Sequence, residues 1–182
     1  MTIPEIQSGK WTVDPVHSRI GFIARHLMVT KVHGSFTDFT ADLVVGADPV
    51  DSKVSVTVQM ESIETGNKDR DGHLRTNDFF DVPQFPTMTF ESTKFAVDGK
   101  KYTMTGDLTL KGVTKPVTFD LEYEGTTADP WGGTRAGVYA EATIDRKEWG
   151  VKWNAPLETG GVAVGDKVQI ELDIQLVKEA DA

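Results

Sequence analysis

There is no cysteine in the 182-residue chain. Its absence removes disulfides, thiolate metal ligands and cysteine nucleophiles together. It leaves the compartment open, since exported proteins can also lack the residue. Long apolar runs are missing too. No stretch approaches the roughly 18 apolar residues that a membrane-spanning helix needs, so no integral membrane segment is expected. The opening "MTIPEIQSGKW" contains no apolar signal-peptide core. As it stands the sequence reads as cytoplasmic; a periplasmic or secreted location requires that a leader was removed. Basic residues are in deficit, 19 against 28 acidic, for a formal charge of −9. Such a chain is repelled by nucleic-acid phosphates and by anionic membrane surfaces. No basic cluster stands out in the sequence to override that, and no nucleic-acid partner is expected.

Catalytic signatures are equally sparse. No G-x-S-x-G, S-x-x-K, G-x-G-x-x-G or Walker loop occurs. Ser18 beside His17 is not a dyad, because adjacent strand residues point to opposite faces. The four histidines are His17, His26, His33 and His73. A zinc site needs three or four ligands within tetrahedral reach, and no H-E-x-x-H or comparable spacing supplies them. His26 and His33 flank "LMVTKV" and could sit opposite each other across a hairpin. No metal, cofactor or catalytic residue is expected. A metal- or histidine-dependent enzyme built on these four residues is the alternative of a different class.

What the sequence has is alternation, the signature of half-buried strands. In "KVQIELDIQL" Val168, Ile170, Leu172, Ile174 and Leu176 share one face, and Lys167, Gln169, Glu171, Asp173 and Gln175 the other. "VTFDLEYE", "VSVTVQM", "YTMTGDLTL" and "SRIGFIARH" alternate in the same way. Phe36 and Phe39 cannot share a face in a regular strand, nor can Phe90 and Phe95. One extra residue in each, a bulge, reconciles them and bends the strand as sheet closure requires. Turn chemistry at Asp98-Gly99, "GADPVDS", "KGVT" and "TTADPWGGT" separates the segments. Eight strands are predicted, over 18–26, 32–45, 53–61, 87–97, 101–111, 116–125, 135–146 and 166–178. Short connections favour antiparallel neighbours. The expected fold is therefore all-β, an eight-stranded antiparallel up-and-down barrel, in one domain over 1–182 with 1–10 a flexible N-terminal segment. Two long connectors remain, 62–86 and 147–165, and the first holds the one short helix, around 69–76.

"NKDRDGHLRTND" in that connector resembles a calcium loop, with Asn67, Asp69, Asp71 and Gly72 at positions one, three, five and six. An EF-hand loop is clamped between two helices, whereas the segment before this one is strand-like. The expected role is a helical turn capped by Asn67 or Asp69, with Leu74, Phe79 and Phe80 packing inward. Strand 135–146 presents Ala136, Val138, Ala140, Ala142 and Ile144 on its apolar face. Such small inward residues fit either tight packing or a void, and an eight-stranded barrel can be filled or hold one small ligand.

Several segments carry a resemblance. "WTVDPVHSRIGFIARHLMVTKVHGSF", "RDGHLRTNDFFDVPQFPTMTFEST", "GDLTLKGVTKPVTF", "DRKEWGVKWN" and "VGDKVQIELDIQL" follow in order over roughly residues 11–178. They resemble the YceI-like family of lipocalin-like, polyisoprenoid-binding proteins. Where this chain has Gly72 that family's connector usually carries a larger residue, so the glycine that completes the calcium pattern looks incidental. The resemblance implies a barrel with a short helix near one end, a long apolar pocket for a polyisoprenoid or similar amphiphilic lipid, and no established enzyme activity. A lipid site built from ordinary alternation leaves no sparse motif. The expected function is lipid binding for sequestration or transport. A solid-core barrel acting as an interaction or stress-response module, and a homodimer, are further alternatives. The candidate ligand-binding residues are Phe22, Phe36, Val56, Val58, Phe90, Met104, Leu108, Phe119, Leu121, Val138, Ala140, Ala142, Ile170 and Leu172, with Phe80 and Trp153 at the mouth.

Overall fold

The computed structural model describes residues 6–180. Its sheet is antiparallel throughout and closes on itself. The first barrel strand is β1 (Gly9–Val13) and β2 (Arg19–His26), interrupted by a 3-10 turn at Pro15–His17. The second is β3 (Thr30–Phe36) and β4 (Phe39–Val45). Then follow β5 (Lys53–Gln59), β7 (Thr87–Asp98), β8 (Lys101–Leu110), β9 (Val113–Ala128), β10 (Thr134–Asp145) and β11 (Val164–Lys178). A short β6 (Ile63–Glu64) adds to β3, and one helix, α1 (Lys68–Leu74), lies in the connector after it. Each barrel strand pairs with its neighbours in sequence. β11 returns to the first strand, pairing with β2 at Ile170↔Phe22 and with β1 at Val13↔Leu176. The expected eight-stranded up-and-down barrel is the observed one. No helix among the described residues is long and apolar enough to cross a membrane.

Both phase changes are present. The β7–β8 register shifts between Ser92 and Lys94, which brings Phe90 and Phe95 into the same apolar cluster. Phe36 and Phe39 are reconciled by a break between β3 and β4 rather than by a bulge within one strand. The β8–β9 turn is a two-residue hairpin, Lys111-Gly112, with φ of 49° and 74°. Glycine suits such left-handed positions because it has no Cβ to clash.

The first strand begins earlier than alternation indicates. Gly9 and Lys10, placed by sequence in a flexible segment, belong to β1; residues 1–5 lie outside the described residues. Trp11 is fully buried and donates from Nε1 to the Gln7 carbonyl at 2.9 Å. The kink that hides this strand is held by Asp14. Its Oδ1 accepts from Val16 N at 3.0 Å; its Oδ2 accepts from His17 Nδ1 at 3.0 Å, Arg135 Nη1 at 2.7 Å and Gln175 Nε2 at 3.1 Å. Hydrogen bonds from His17 and Arg135 hold the Asp14 carboxyl down at a pKa of about 2.

One end of the barrel is filled. Met60, Ile63, Phe79, Val82, Trp149 and Val151 are buried there, supplied by the two long connectors. Trp149 Nε1 donates to Leu108 O at 3.0 Å. Arg146 is buried as well, its guanidinium donating to the carbonyls of Gly165, Val151 and Val164 at 2.9, 2.8 and 3.2 Å. In the calcium-like stretch three of the candidate oxygen donors, Asn67, Asp71 and Asp78, have local partners. Asn67 Oδ1 accepts from Arg70 N at 3.0 Å as the helix N-cap. Asp71, nearly buried, accepts from Thr65 N and Oγ1 at 2.9 and 2.6 Å. Asp78 faces His73 Nε2 at 2.8 Å.

Trp11→Ala removes a buried indole from the closing strand and should lower stability by about 3–5 kcal/mol in urea unfolding. Asp14 has a folded pKa below its unfolded value near 4, so its contribution is complete above pH ~4 and fades as pH falls through about 2. The stability gap between the native chain and Asp14→Asn should therefore be widest near neutrality and close between pH ~4 and ~2 in denaturant titrations.

Candidate functional site

The other half of the barrel interior is open. A cavity of about 670 Å³ runs between the strands, walled almost wholly by apolar side chains. Its existence follows from residue size. Ala140 and Val138 on β10 leave space opposite the larger Phe90, Met104 and Phe119. Two glycines make room for aromatic rings, Gly106 for Phe90 in the cavity wall and Gly34 for Phe22 in the core beside it. A Cβ on Gly106 would stand 2.3 Å from Phe90 Cζ and 2.5 Å from Glu91 O. A Cβ on Gly34 would stand 2.1 Å from Phe22 Cζ. Phe90 meets Phe119 edge-to-face, with ring centroids 5.5 Å apart, and Phe22 meets Phe36 at 5.7 Å.

The structure brings most of the sequence-selected residues to one place. Val56, Val58, Phe90, Met104, Leu108, Phe119, Leu121, Val138, Ala140, Ile170 and Leu172 all line the cavity. Phe22, Phe36 and Ala142 do not; they pack in the main apolar core beside it. Phe80 and Trp153 are not at a mouth. They belong to the connectors that fill the opposite end, where Trp153 meets His73 edge-to-face and Phe79 at a tilt, with ring centroids 4.9 and 5.2 Å away. The mouth is formed by residues that sequence reasoning left aside. Asp48, Pro49, Val50 and Ser52 of the β4–β5 loop face Val97, Tyr102 and Tyr123. The loop is compact because Asp48 caps its 3-10 turn and Ser52 Oγ accepts from Gly46 N at 3.2 Å. Val54, Phe39, Ile174 and Leu176 also line the cavity, and their alternation was available to find them. Nothing in the loop sequence marked it as a rim.

Polar chemistry in the cavity is thin. Its polar lining residues are Asp42, Asp48, Ser52, Thr89, Tyr102 and Tyr123, with Tyr123 hydrogen-bonded to Thr126 Oγ1. Among the described residues no Lys, Arg or His lines the cavity, and no three His, Cys, Asp or Glu side chains converge as a metal site. The histidine–carboxylate pair of His17 with Asp14 is tied into the strand kink.

The family model described as YceI-like domain matches residues 11–176. The chain belongs to the YceI-like family. A UPF0312 protein of Staphylococcus aureus (strain N315) is 42% identical over 165 residues, covering 88% of this chain and 93% of that protein. BcnA of Burkholderia cenocepacia superposes with a TM-score of 0.78 at 25% identity, over 90% of this chain and 98% of BcnA. A polyisoprenoid binding domain from Saccharophagus degradans, implicated in plant cell wall breakdown, gives a TM-score of 0.69 at 14% identity, over 96% and 100% of the two chains. That last likeness is one of fold.

Gly106→Ala tests whether glycine seats the cavity wall. The new Cβ has to push Phe90 off its site against Glu91 O, which should lower stability by about 2 kcal/mol and shrink the cavity. A loss below about 0.5 kcal/mol would show that the ring is not held there by the glycine.

Proposed function

We propose that this YceI-like barrel binds one long-chain isoprenoid or similar linear lipid in its axial cavity, for sequestration or carriage rather than for catalysis. The observation that carries the reading is the cavity itself: about 670 Å³ and walled almost wholly by apolar side chains. Its volume falls in the range of small-molecule sites. Along β4 it extends from Phe39 to Val45, about 20 Å of strand at ~3.3 Å per residue. Each buried methylene contributes about 0.8 kcal/mol, so roughly ten of them approach the energy of micromolar binding with no charged contact. The head group needs only one or two partners near the mouth. The hydroxyls of Ser52, Tyr102 and Tyr123, with no cation among the described lining residues, support an uncharged polar head over a carboxylate or phosphate. The S. degradans domain of the same fold binds polyisoprenoid by its description; the cavity of this chain, not that likeness, is the ground for the proposal.

Organic extraction of the purified protein followed by mass spectrometry should release a long-chain lipid, and stripped protein should take up added prenols more tightly than prenyl phosphates. Ala140→Phe should reduce uptake at least about tenfold by filling the cavity, with the strand circular dichroism unchanged. A native protein that is empty as purified and ignores prenols, prenyl phosphates and fatty acids alike would sink the reading.

A further inference from the structure

The turn joining β2 to β3 departs from the chemistry of the other tight turns. The β7–β8, β8–β9 and β9–β10 turns each place a glycine at positive φ: Gly99 at 60°, Gly112 at 74° and Gly132 at 91°. The β2–β3 turn has none. Leu27 and Met28 take the two left-handed positions, at 51° and 64°, with Val29 N donating back to His26 O at 3.1 Å. Positive φ at both central residues favours Asn-Gly, and large side chains there are strained. The two strained residues and the valine after them are also exposed: Leu27 is 41% accessible, Met28 55% and Val29 72%. Three consecutive large apolar side chains are thus exposed at a hairpin tip whose backbone is anchored by Leu27 N donating to Ala163 O at 2.9 Å.

Arg25 and Lys31 are directly opposite each other across the two strands, just behind the tip. Like charges so placed repel, and neither has an ion-pair partner among the described residues. The chain carries a formal charge of −9, yet it has no acidic residue from Pro15 to Thr37. In sequence these cations look scattered; the hairpin gathers them behind an apolar point. Strain, apolar exposure and like-charge repulsion all disfavour the free state of the same few residues.

We propose that this tip is an anchor for an anionic lipid bilayer. Leu27, Met28 and Val29 enter the acyl boundary, and Arg25 and Lys31 lie at the level of the head groups. Three side chains at one turn are too small a surface for a stable protein interface, which needs about 1,000 Å². They suit a fluid interface that closes around any apolar point. A cation near an anionic surface strengthens binding about fivefold. The acidic excess of the rest of the chain acts against this, but charges more than about 8 Å from the interface are screened at physiological ionic strength. The tip lies at the filled end of the barrel, so a docked molecule directs its cavity mouth away from the surface. The anchor therefore tethers the carrier, and its action is independent of what the cavity holds.

The test is co-sedimentation of the full chain with vesicles of phosphatidylcholine alone and with phosphatidylglycerol added, at low and physiological salt. Binding is expected with phosphatidylglycerol only, weakening as salt rises. Leu27→Asn with Met28→Gly should weaken it at least about tenfold while raising Tm by about 3 °C or more, because Asn-Gly fits the turn. Arg25→Gln with Lys31→Gln should weaken it by a similar factor. Trp131→Ser removes the 84%-exposed indole of the β9–β10 turn at the opposite end and should leave binding unchanged. Ala140→Phe should also leave it unchanged, which separates the anchor from the cavity. No binding to anionic vesicles, full binding by either double variant, or loss of binding in Trp131→Ser would each overturn the proposal.

Discussion

Closure of the sheet at its first strand is the constraint on which the rest of the molecule depends. A barrel has no edge only if that strand pairs on both sides along its whole length. Here it must follow β4 and β3 on one side and β11 on the other. It does so by breaking at Asp14–Ser18 and repairing the ladder across the break. Asp14 N donates to Gln175 O at 2.9 Å, and Gln175 N donates to Ser18 Oγ at 2.9 Å. The Asp14 carboxylate draws Arg135 of β10 onto the same point, and Arg135 in turn holds Asp129 at 2.9 Å. One surface cluster thus joins the first, seventh and eighth barrel strands. Without that seam the apolar inner faces would open to water, and the cavity would be one side of an exposed sheet.

Given closure, the interior divides by side-chain volume. At the helix end, aromatic and methionine side chains from two connectors complete a dry core, and their polar atoms are answered by backbone groups, as Trp149 is by Leu108 O. At the other end no connector folds inward, and the walls alone set the contents. Alanine on β10 serves three purposes along one strand. Ala136 packs beneath Trp11 in a small upper cluster, Ala140 faces the void, and Ala142 packs into the filled half. A small residue is therefore not in itself a sign of a cavity. What matters is whether a neighbour reaches across to it.

The fold was legible because alternation reports which side of a sheet is dry, and five or more residues in phase leave little freedom. Strands with such runs, β5 and β7 through β11, lie close to where periodicity puts them. β1 was not legible, since Trp11 and Val13 are too few to set a phase before Pro15. Eleven of the sixteen selected residues reached the cavity because facing inward is a local property. Which end is open is not local. Phe80 and Trp153 look like rim residues in sequence, as aromatics in a connector would. Their connectors instead fold over the barrel end, through contacts such as Trp153 with His73 that no spacing predicts. The true rim, Asp48 to Ser52, is a short turn of ordinary composition.

The stretch 67–78 makes the same distinction within twelve residues. A metal loop and a structural connector want the same residue types, because both need short side chains carrying oxygen near the backbone. Spacing alone does not separate them. The separation lies in where the lone pairs are already committed. Asn67 is occupied by the helix N-terminus, Asp71 by Thr65, and Asp78 by His73. A cation would have to displace all three sets of bonds and unwind the cap that starts α1. Asp71 is also nearly buried and faces the connector, so it could turn toward an ion only by leaving Thr65 unsatisfied. In this loop the oxygens hold the chain to itself, and that is what keeps the filled end of the barrel shut.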